Sequence, residues 1–72
     1  MKRSISIDGH RTSVSLEDPF WDALGEIAAA RGISVAAQIG EIDHGRKGLN
    51  LSAAIRTYVL AWYRDRASTE AG

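Results

Sequence analysis

The chain has no cysteine, a single proline and only two histidines among its 72 residues. Without thiols it can form neither disulfides nor thiolate metal sites, and His10 and His44 lie too far apart in sequence to suggest a structural zinc site. No apolar run approaches the roughly 20 residues that span a bilayer, and the first residues do not resemble a signal peptide. We therefore expect a cytoplasmic protein with no metal, no cofactor and no membrane segment.

The formal net charge is zero, which argues against a protein that binds any polyanion indiscriminately. The charges are nevertheless unevenly distributed along the chain. Residues 1–16 carry three basic side chains against one acidic, for a net +2, and residues 17–45 carry one against six, for a net −5. Residues 46–72 carry five against two, for a net +3, and two of those five, Arg46 and Lys47, directly precede a helix start.

At 72 residues the chain is expected to form one domain, which we place at residues 1–67 with a frayed tail at 68–72. A domain of this size buries only roughly 60% of the surface that its unfolded chain exposes, so a partner subunit is expected. The pattern along the chain predicts an α+β fold, mostly helical, in which an N-terminal β-hairpin is followed by three helices.

The hairpin is predicted from residues 3 to 16, with Asp8-Gly9 as a two-residue turn that tolerates positive φ. This register pairs Ile7 with His10 and continues outward from the turn. It divides the two strands into a largely apolar face and a wholly polar face. The polar face carries the following pairs: Ser6 with Arg11, Ser4 with Ser13, and Lys2 with Ser15.

Two helices are predicted after the hairpin. The first begins at Glu17-Asp18-Pro19 with an acidic first turn, and it ends at Arg31-Gly32. Its apolar stripe is formed by Phe20, Leu24, Ile27 and Ala28 and is widened by Trp21. The second helix is short, is capped by Ser34 and closes at Gly45. Gly40 in its interior disfavours the helix by close to 1 kcal/mol relative to alanine, which suggests a close approach of another backbone.

The third helix is predicted from about Asn50 to Arg66. Asn50 or Ser52 can accept hydrogen bonds from the first-turn N–H groups, and an N–H left unpaired there carries partial positive charge suited to a phosphate. The apolar stripe of this helix is longer than the first helix can cover. We therefore predict an oligomer interface at apolar residues of the second strand and third helix: Val14, Leu16, Leu51, Ile55, Val59 and Trp62.

Three segments together resemble the ribbon-helix-helix family of bacterial DNA-binding regulators. They are the strand Arg11-Thr12-Ser13-Val14-Ser15-Leu16, the helix from Asp18 to Arg31, and the stretch from Gly48 to Val59, which opens Gly48-Leu49-Asn50-Leu51-Ser52 and continues to Ile55-Arg56. The resemblance implies an intertwined homodimer, or a higher oligomer such as a tetramer or hexamer, bound to double-stranded DNA. Outward side chains of the paired strands would read bases in the major groove, and the helix start would hold the phosphate backbone. The residues placed in DNA contact are Arg11, Ser13, Ser15, Arg46, Lys47, Asn50 and Ser52.

Two features differ from the usual family pattern. The hairpin adds a strand before the strand that would read the bases, and Gly32 to Lys47 insert an extra helix where the family usually joins its two helices by a short turn. A symmetric dimer would then present four strands, about 14 Å across between outer axes, to a major groove of about 12 Å. Either the first strand peels away as a basic arm, or this surface has another use.

The sequence thus supports two functions of different classes. One is a DNA-binding transcription regulator whose specificity rests mainly on Arg11, because arginine grips guanine with two hydrogen bonds whereas serine discriminates weakly. The other is an oligomeric assembly protein on the same fold that does not bind DNA and holds small anions. Catalysis is not expected, since Asp8 and His10 lack a third group of fixed geometry.

Overall fold

The computed structural model describes residues 2–7 and 9–71, with side chains described as far as residue 67. Two strands, β1 (Lys2–Ile7) and β2 (His10–Ser15), precede three helices, α1 (Asp18–Arg31), α2 (Val35–His44) and α3 (Leu51–Ala71). The helices have 14, 10 and 21 residues against 6 in each strand, so the predicted α+β fold with a mostly helical composition is confirmed.

The two strands form an antiparallel hairpin whose register is the predicted one at every position. The six pairs are Lys2 with Ser15, Arg3 with Val14, Ser4 with Ser13, Ile5 with Thr12, Ser6 with Arg11, and Ile7 with His10. Gly9 has the positive φ of 82° that the two-residue turn requires. Asp8, the other turn residue of the prediction, lies outside the described residues.

The first two helices begin and end where the sequence predicts. Glu17 precedes α1, and Gly32 ends it with a left-handed φ of 70° while donating its N–H to the carbonyls of Ala28 and Ala29. The side chain of Ser34 caps α2 by accepting a hydrogen bond from the N–H of Ala37 at 3.0 Å. Both helices are therefore delimited by local signals that need no tertiary information.

Helix α3 begins as predicted, but the prediction that it ends near Arg66 is wrong, because the helix continues to Ala71. The physical reason is that no glycine or proline follows Arg66 until Gly72, so no residue there opposes the helix. The predicted tail thus has helical backbone as far as Ala71, and the division of the chain at residue 67 stays a prediction.

The core lies between the apolar face of the hairpin and the three helices. Its most deeply buried side chains include Val14, Leu16, Leu24, Ile27, Ile39 and Ile55. A Cβ added to Gly40 would lie 3.6 Å from Cγ2 of Ile7, so the neighbour of this glycine is a β1 side chain rather than the predicted backbone. Among residues 2–7 and 9–71, none of the helices combines the length and the apolar character that a bilayer span requires.

Candidate nucleic-acid interface

The outward face of the hairpin carries the three strand residues that the sequence predicts for base contact. Arg11, Ser13 and Ser15 are exposed, and the residues between them, Thr12 and Val14, face the interior. This alternation follows from the pleat, because successive side chains of a strand point to opposite sides. The three residues therefore share one solvent-facing surface with their cross-strand partners on β1.

The backbone of the same three residues points away from β1. In a two-residue hairpin the pair beside the turn, Ile7 and His10, exchanges hydrogen bonds, and bonded and non-bonded pairs then alternate along the ladder. Arg11, Ser13 and Ser15 fall in the non-bonded pairs, so their N–H and C=O groups lie on the outer edge of β2. Within the described residues, no backbone partner occupies that edge. It can accept another strand.

The start of α3 is capped by Asn50. Its Oδ1 accepts a hydrogen bond from the N–H of Ala53 at 2.8 Å, and its carbonyl accepts from Ala54 at 3.0 Å. The N–H groups of Leu51 and Ser52 have no intrahelical acceptor at this position in a helix, and no described residue supplies one. Of the two predicted capping residues, Asn50 is thus the cap, whereas Ser52 lies half-buried in the first turn.

A tight turn from Arg46 to Leu49 leads into this helix start. The N–H of Leu49 donates to the carbonyl of Arg46 at 2.9 Å, and both central residues have positive φ, 40° at Lys47 and 88° at Gly48. Positive φ at both central positions is the mark of a type I′ turn. The side chain of Lys47 is exposed and has no partner among the described residues.

Arg46 and Lys47 are alike in the sequence-based prediction but not in the structure. Nε of Arg46 lies 2.7 Å from Oδ1 of Asp43, and Nη1 donates to the carbonyl of Leu49 at 3.0 Å. Arg46 therefore braces the turn from within. The signal that could have separated the two is Asp43, three residues before Arg46 and at ion-pairing distance on a helical turn.

One cavity of about 240 Å³ brings part of the hairpin and the start of α3 together. Ser13 and Thr12 line it from β2, while Arg46 and Leu51 line it from the other side. Arg11 and Ser15 share the sheet face of Ser13 but are not among the lining residues. The structure thus joins the two predicted contact zones through Ser13.

Ion pairs within the chain neutralise part of its acidic middle. Glu17 accepts two hydrogen bonds from Arg56, at 2.9 and 3.3 Å, and this guanidinium lowers the pKa of the Glu17 carboxyl. Arg31 binds Oε1 of Glu41 at 3.1 Å, and this contact raises the pKa of Arg31.

Arg31, Arg46 and Arg56 thus each contact a carboxylate of the same chain. Of the remaining basic side chains in the described part of the chain, Lys2, Arg11 and Lys47 have no ion pair and no aromatic partner, and they lie on the hairpin face or at the turn before α3. Arg64, on the exposed surface of α3, also lacks such a partner. Free positive charge is thus concentrated beside the two predicted contact zones.

The predicted oligomer interface falls largely inside the single chain. Val14, Leu16, Ile55 and Val59 are between 0% and 5% exposed against residues of the same chain. Of the set, only Leu51 and Trp62 keep some accessible surface, and the interface role stays a prediction. Apolar side chains that are exposed lie elsewhere, on the flank of α3 or in the loop before it: Leu49 at 50%, Leu60 at 57% and Tyr63 at 39%.

No group of three or more histidine, aspartate or glutamate side chains that could hold a metal ion occurs among residues 2–7 and 9–71. The neighbourhood of His10 offers serine, threonine and arginine side chains but no described carboxylate apart from Asp43 across the cavity. Hydrogen-bond donors and cations dominate this surface, which is the chemistry of anion recognition.

Comparison with known families adds an independent finding. A family model described as a ribbon-helix-helix domain matches residues 1–63, from the start of the hairpin to the middle of α3. The search of curated proteins and the search of solved structures found no match. All seven residues predicted to contact DNA lie within the matched range, as do β1 and α2, which differ from the simple family pattern.

Proposed function

Since the chain belongs to the ribbon-helix-helix family, we propose that it is a sequence-specific DNA-binding transcription regulator that acts as a homodimer. Family membership supports DNA binding and dimerisation in general terms. The site residues, the dimer contact and a place of action in the cytoplasm are parts of our proposal.

The observation that carries the proposal is that Arg11, Ser13 and Ser15 expose both their side chains and their backbone hydrogen-bonding groups. Their side chains face solvent on the polar side of the sheet, and their backbone groups lie on the open edge of β2. Antiparallel pairing of this edge with its symmetry mate would unite six such side chains on one surface. That surface has the composition expected of a reading element: two guanidinium groups among short hydroxyls.

In the proposed complex the paired β2 strands lie over the major groove. Arg11 donates two hydrogen bonds to O6 and N7 of a guanine, and the serines add less selective contacts. At the start of α3, the N–H groups of Leu51 and Ser52, with the exposed ammonium of Lys47, hold a phosphate of the flanking backbone. Arg46 serves this site indirectly by bracing the turn.

The experiment is a fluorescence anisotropy titration of the full chain with labelled fragments of natural DNA, followed by selection of a preferred sequence. We expect binding that weakens steeply with salt. Arg11→Ala should reduce discrimination between the selected and a scrambled duplex by about 1–3 kcal/mol for each arginine–guanine pair that the substitution removes. Arg64→Ala, which removes the same charge from the exposed part of α3, is the matched control and should preserve discrimination. Absence of binding at low salt, or equal behaviour of the two variants, contradicts the proposal.

A second candidate function, an oligomeric assembly protein that does not bind DNA, is favoured by one observation. Leu60 and Tyr63 are exposed beside Phe20 and line an apolar cavity of about 330 Å³ between α1 and α3. Such a patch is typical of a protein contact. On this hypothesis, sedimentation should show a tetramer or hexamer that Leu60→Ser dissociates and that excess duplex DNA leaves unchanged. A dimer that DNA shifts to a larger mass supports the regulator instead.

A further inference from the structure

Strand β1 is fastened to the body of the protein along its length. It pairs with β2 at six consecutive positions. At one end, Ile7 is buried, and its side chain lies at van der Waals distance from the position of a Cβ on Gly40 of α2. At the other end, the guanidinium of Arg3 lies 4.9 Å from the ring centroid of Trp21 on α1. Of the two alternatives left open by the sequence, a peeled basic arm is therefore disfavoured. The other, a use of this surface apart from the groove, is not required if only the two inner strands of a dimer enter the groove.

A fastened β1 fixes the geometry of any dimer that pairs through the open edge of β2. The sheet then has the order β1, β2, partner β2, partner β1. At about 4.8 Å between neighbours, the two inner strands fit within a groove about 12 Å wide, while the outer axes are about 14 Å apart. The outer strands therefore cannot enter the groove. They lie over its two rims, where the phosphates are.

The outward side chains of β1 suit that position. Lys2, Ser4 and Ser6 are exposed, alternate with the inward Arg3 and Ile5, and stand directly across from Ser15, Ser13 and Arg11. Lysine ammonium groups and serine hydroxyls are among the groups that contact phosphate oxygens in protein–DNA complexes. Within the described residues, neither strand contributes a carboxylate to this face.

We propose that β1 is the phosphate-binding flank of the reading sheet, with Lys2, Ser4 and Ser6 of each subunit donating hydrogen bonds to the sugar–phosphate backbone along the groove rims. The proposal rests on the proposed DNA-binding function.

The test compares two charge-matched pairs of variants of the full chain. Lys2→Ala and Arg64→Ala each remove one positive charge, from β1 and from the exposed surface of α3. Ser4→Glu and Ala61→Glu each add one negative charge, again on β1 and on α3. Each protein is titrated by anisotropy with a random-sequence duplex pool of about 30 base pairs, three helical turns, over a series of salt concentrations. Circular dichroism and sedimentation establish that fold and mass are unchanged.

For Lys2→Ala we expect the slope of log Kd against log salt concentration to fall by about 2. Each dimer then lacks two lysine–phosphate ion pairs, and each pair contributes about 0.9 to that slope. At about 0.1 M salt this corresponds to a ten- to hundredfold weaker affinity. Arg64→Ala should keep the slope of the unmodified chain, and Ser4→Glu should weaken binding more than Ala61→Glu.

Two results overturn the proposal, and they are distinguishable. In the first, all four variants and the unmodified chain bind with the same salt slope, and Ser4→Glu weakens the affinity no more than Ala61→Glu does. This result would mean that β1 does not contact the phosphates, while the DNA-binding function stands. If the unmodified chain shows no salt-dependent binding to the duplex pool, the proposed function and this inference fail together.

Discussion

If the chain dimerises through the open edge of β2, we expect the backbone N–H of Ser13 to support the dimer. The N–H of Ser13 lies on the outer edge of β2, midway between those of Arg11 and Ser15. Any pairing register between two subunits that uses the whole strand therefore includes it. The N–H of Ser4, its cross-strand partner, lies on the outer edge of β1. Proline at either position removes an outward N–H and leaves the hairpin ladder intact.

The expected destabilisation of the dimer follows from two-fold symmetry, because the Ser13→Pro substitution is present in both subunits. Two carbonyl acceptors of the partner strand would remain unpaired in the interface, at about 1–3 kcal/mol each. The dimer should therefore be destabilised by about 2–6 kcal/mol, which is a roughly 30-fold to 10⁴-fold increase in its dissociation constant.

The assay is sedimentation velocity over a range of protein concentrations, with circular dichroism to follow the fold. Ser13→Pro should shift the monomer–dimer transition to higher concentration, and Ser4→Pro should leave it where the unmodified chain has it. A dimer of unmodified affinity in Ser13→Pro, or a larger effect from Ser4→Pro, would show that β2 is not the pairing edge.

Three further predictions concern stability. Gly40→Ala and Gly25→Ala should each stabilise the chain by about 0.5–1 kcal/mol through helix propensity, because an added Cβ meets only ordinary contact at Gly40 and open space at Gly25; thermal melts should rise for both, and a fall for Gly40→Ala alone would mean that β1 packs more tightly than described. Asn50→Ala should reduce the free energy of unfolding by about 1 kcal/mol through loss of the cap, whereas Asn50→Asp should retain it; equal losses in denaturant titrations would refute the capping role. The pKa of Glu17 is lowered by Arg56 from its ordinary 4.5, so the contribution of this pair to stability is present above pH 4.5 and is lost as pH falls through the lowered pKa. In Glu17→Gln, the free energy of unfolding should therefore fall less steeply with pH below pH 4.5 than in the unmodified chain. An unchanged pH dependence would show that the pair contributes nothing.

Much of the fold follows from local sequence signals. The Asp8-Gly9 turn with its flanking alternation is sufficient to predict the register at all six pairs, because a one-residue shift would expose the apolar face. Ser34 and Gly32 likewise mark helix ends by chemistry within a few residues of themselves. The far end of α3 is harder to predict because small polar residues there resemble a stop, although only glycine or proline opposes a helix strongly.

The candidate site is less accessible to sequence reasoning, since side-chain pairing between distant elements leaves no local pattern. Arg46 and Lys47 are neighbours in sequence, yet only the ion pair to Asp43 shows that the first acts within the chain. Arg56 is part of the family-like helix start, but Glu17, 39 residues earlier, binds it. The register alone puts Arg3 on the inward face, while its position over Trp21 depends on how β1 packs against α1.

The packing of Arg3 over Trp21 gives the protein an optical reporter of its own. Trp21 is 5% exposed, and lifting β1 from α1 would admit water to its indole ring. The other tryptophan, Trp62, is packed beside Tyr58 and Arg66 on α3. With Trp62→Phe, the emission maximum of the remaining indole would follow the docking of the first strand in real time, without an attached dye.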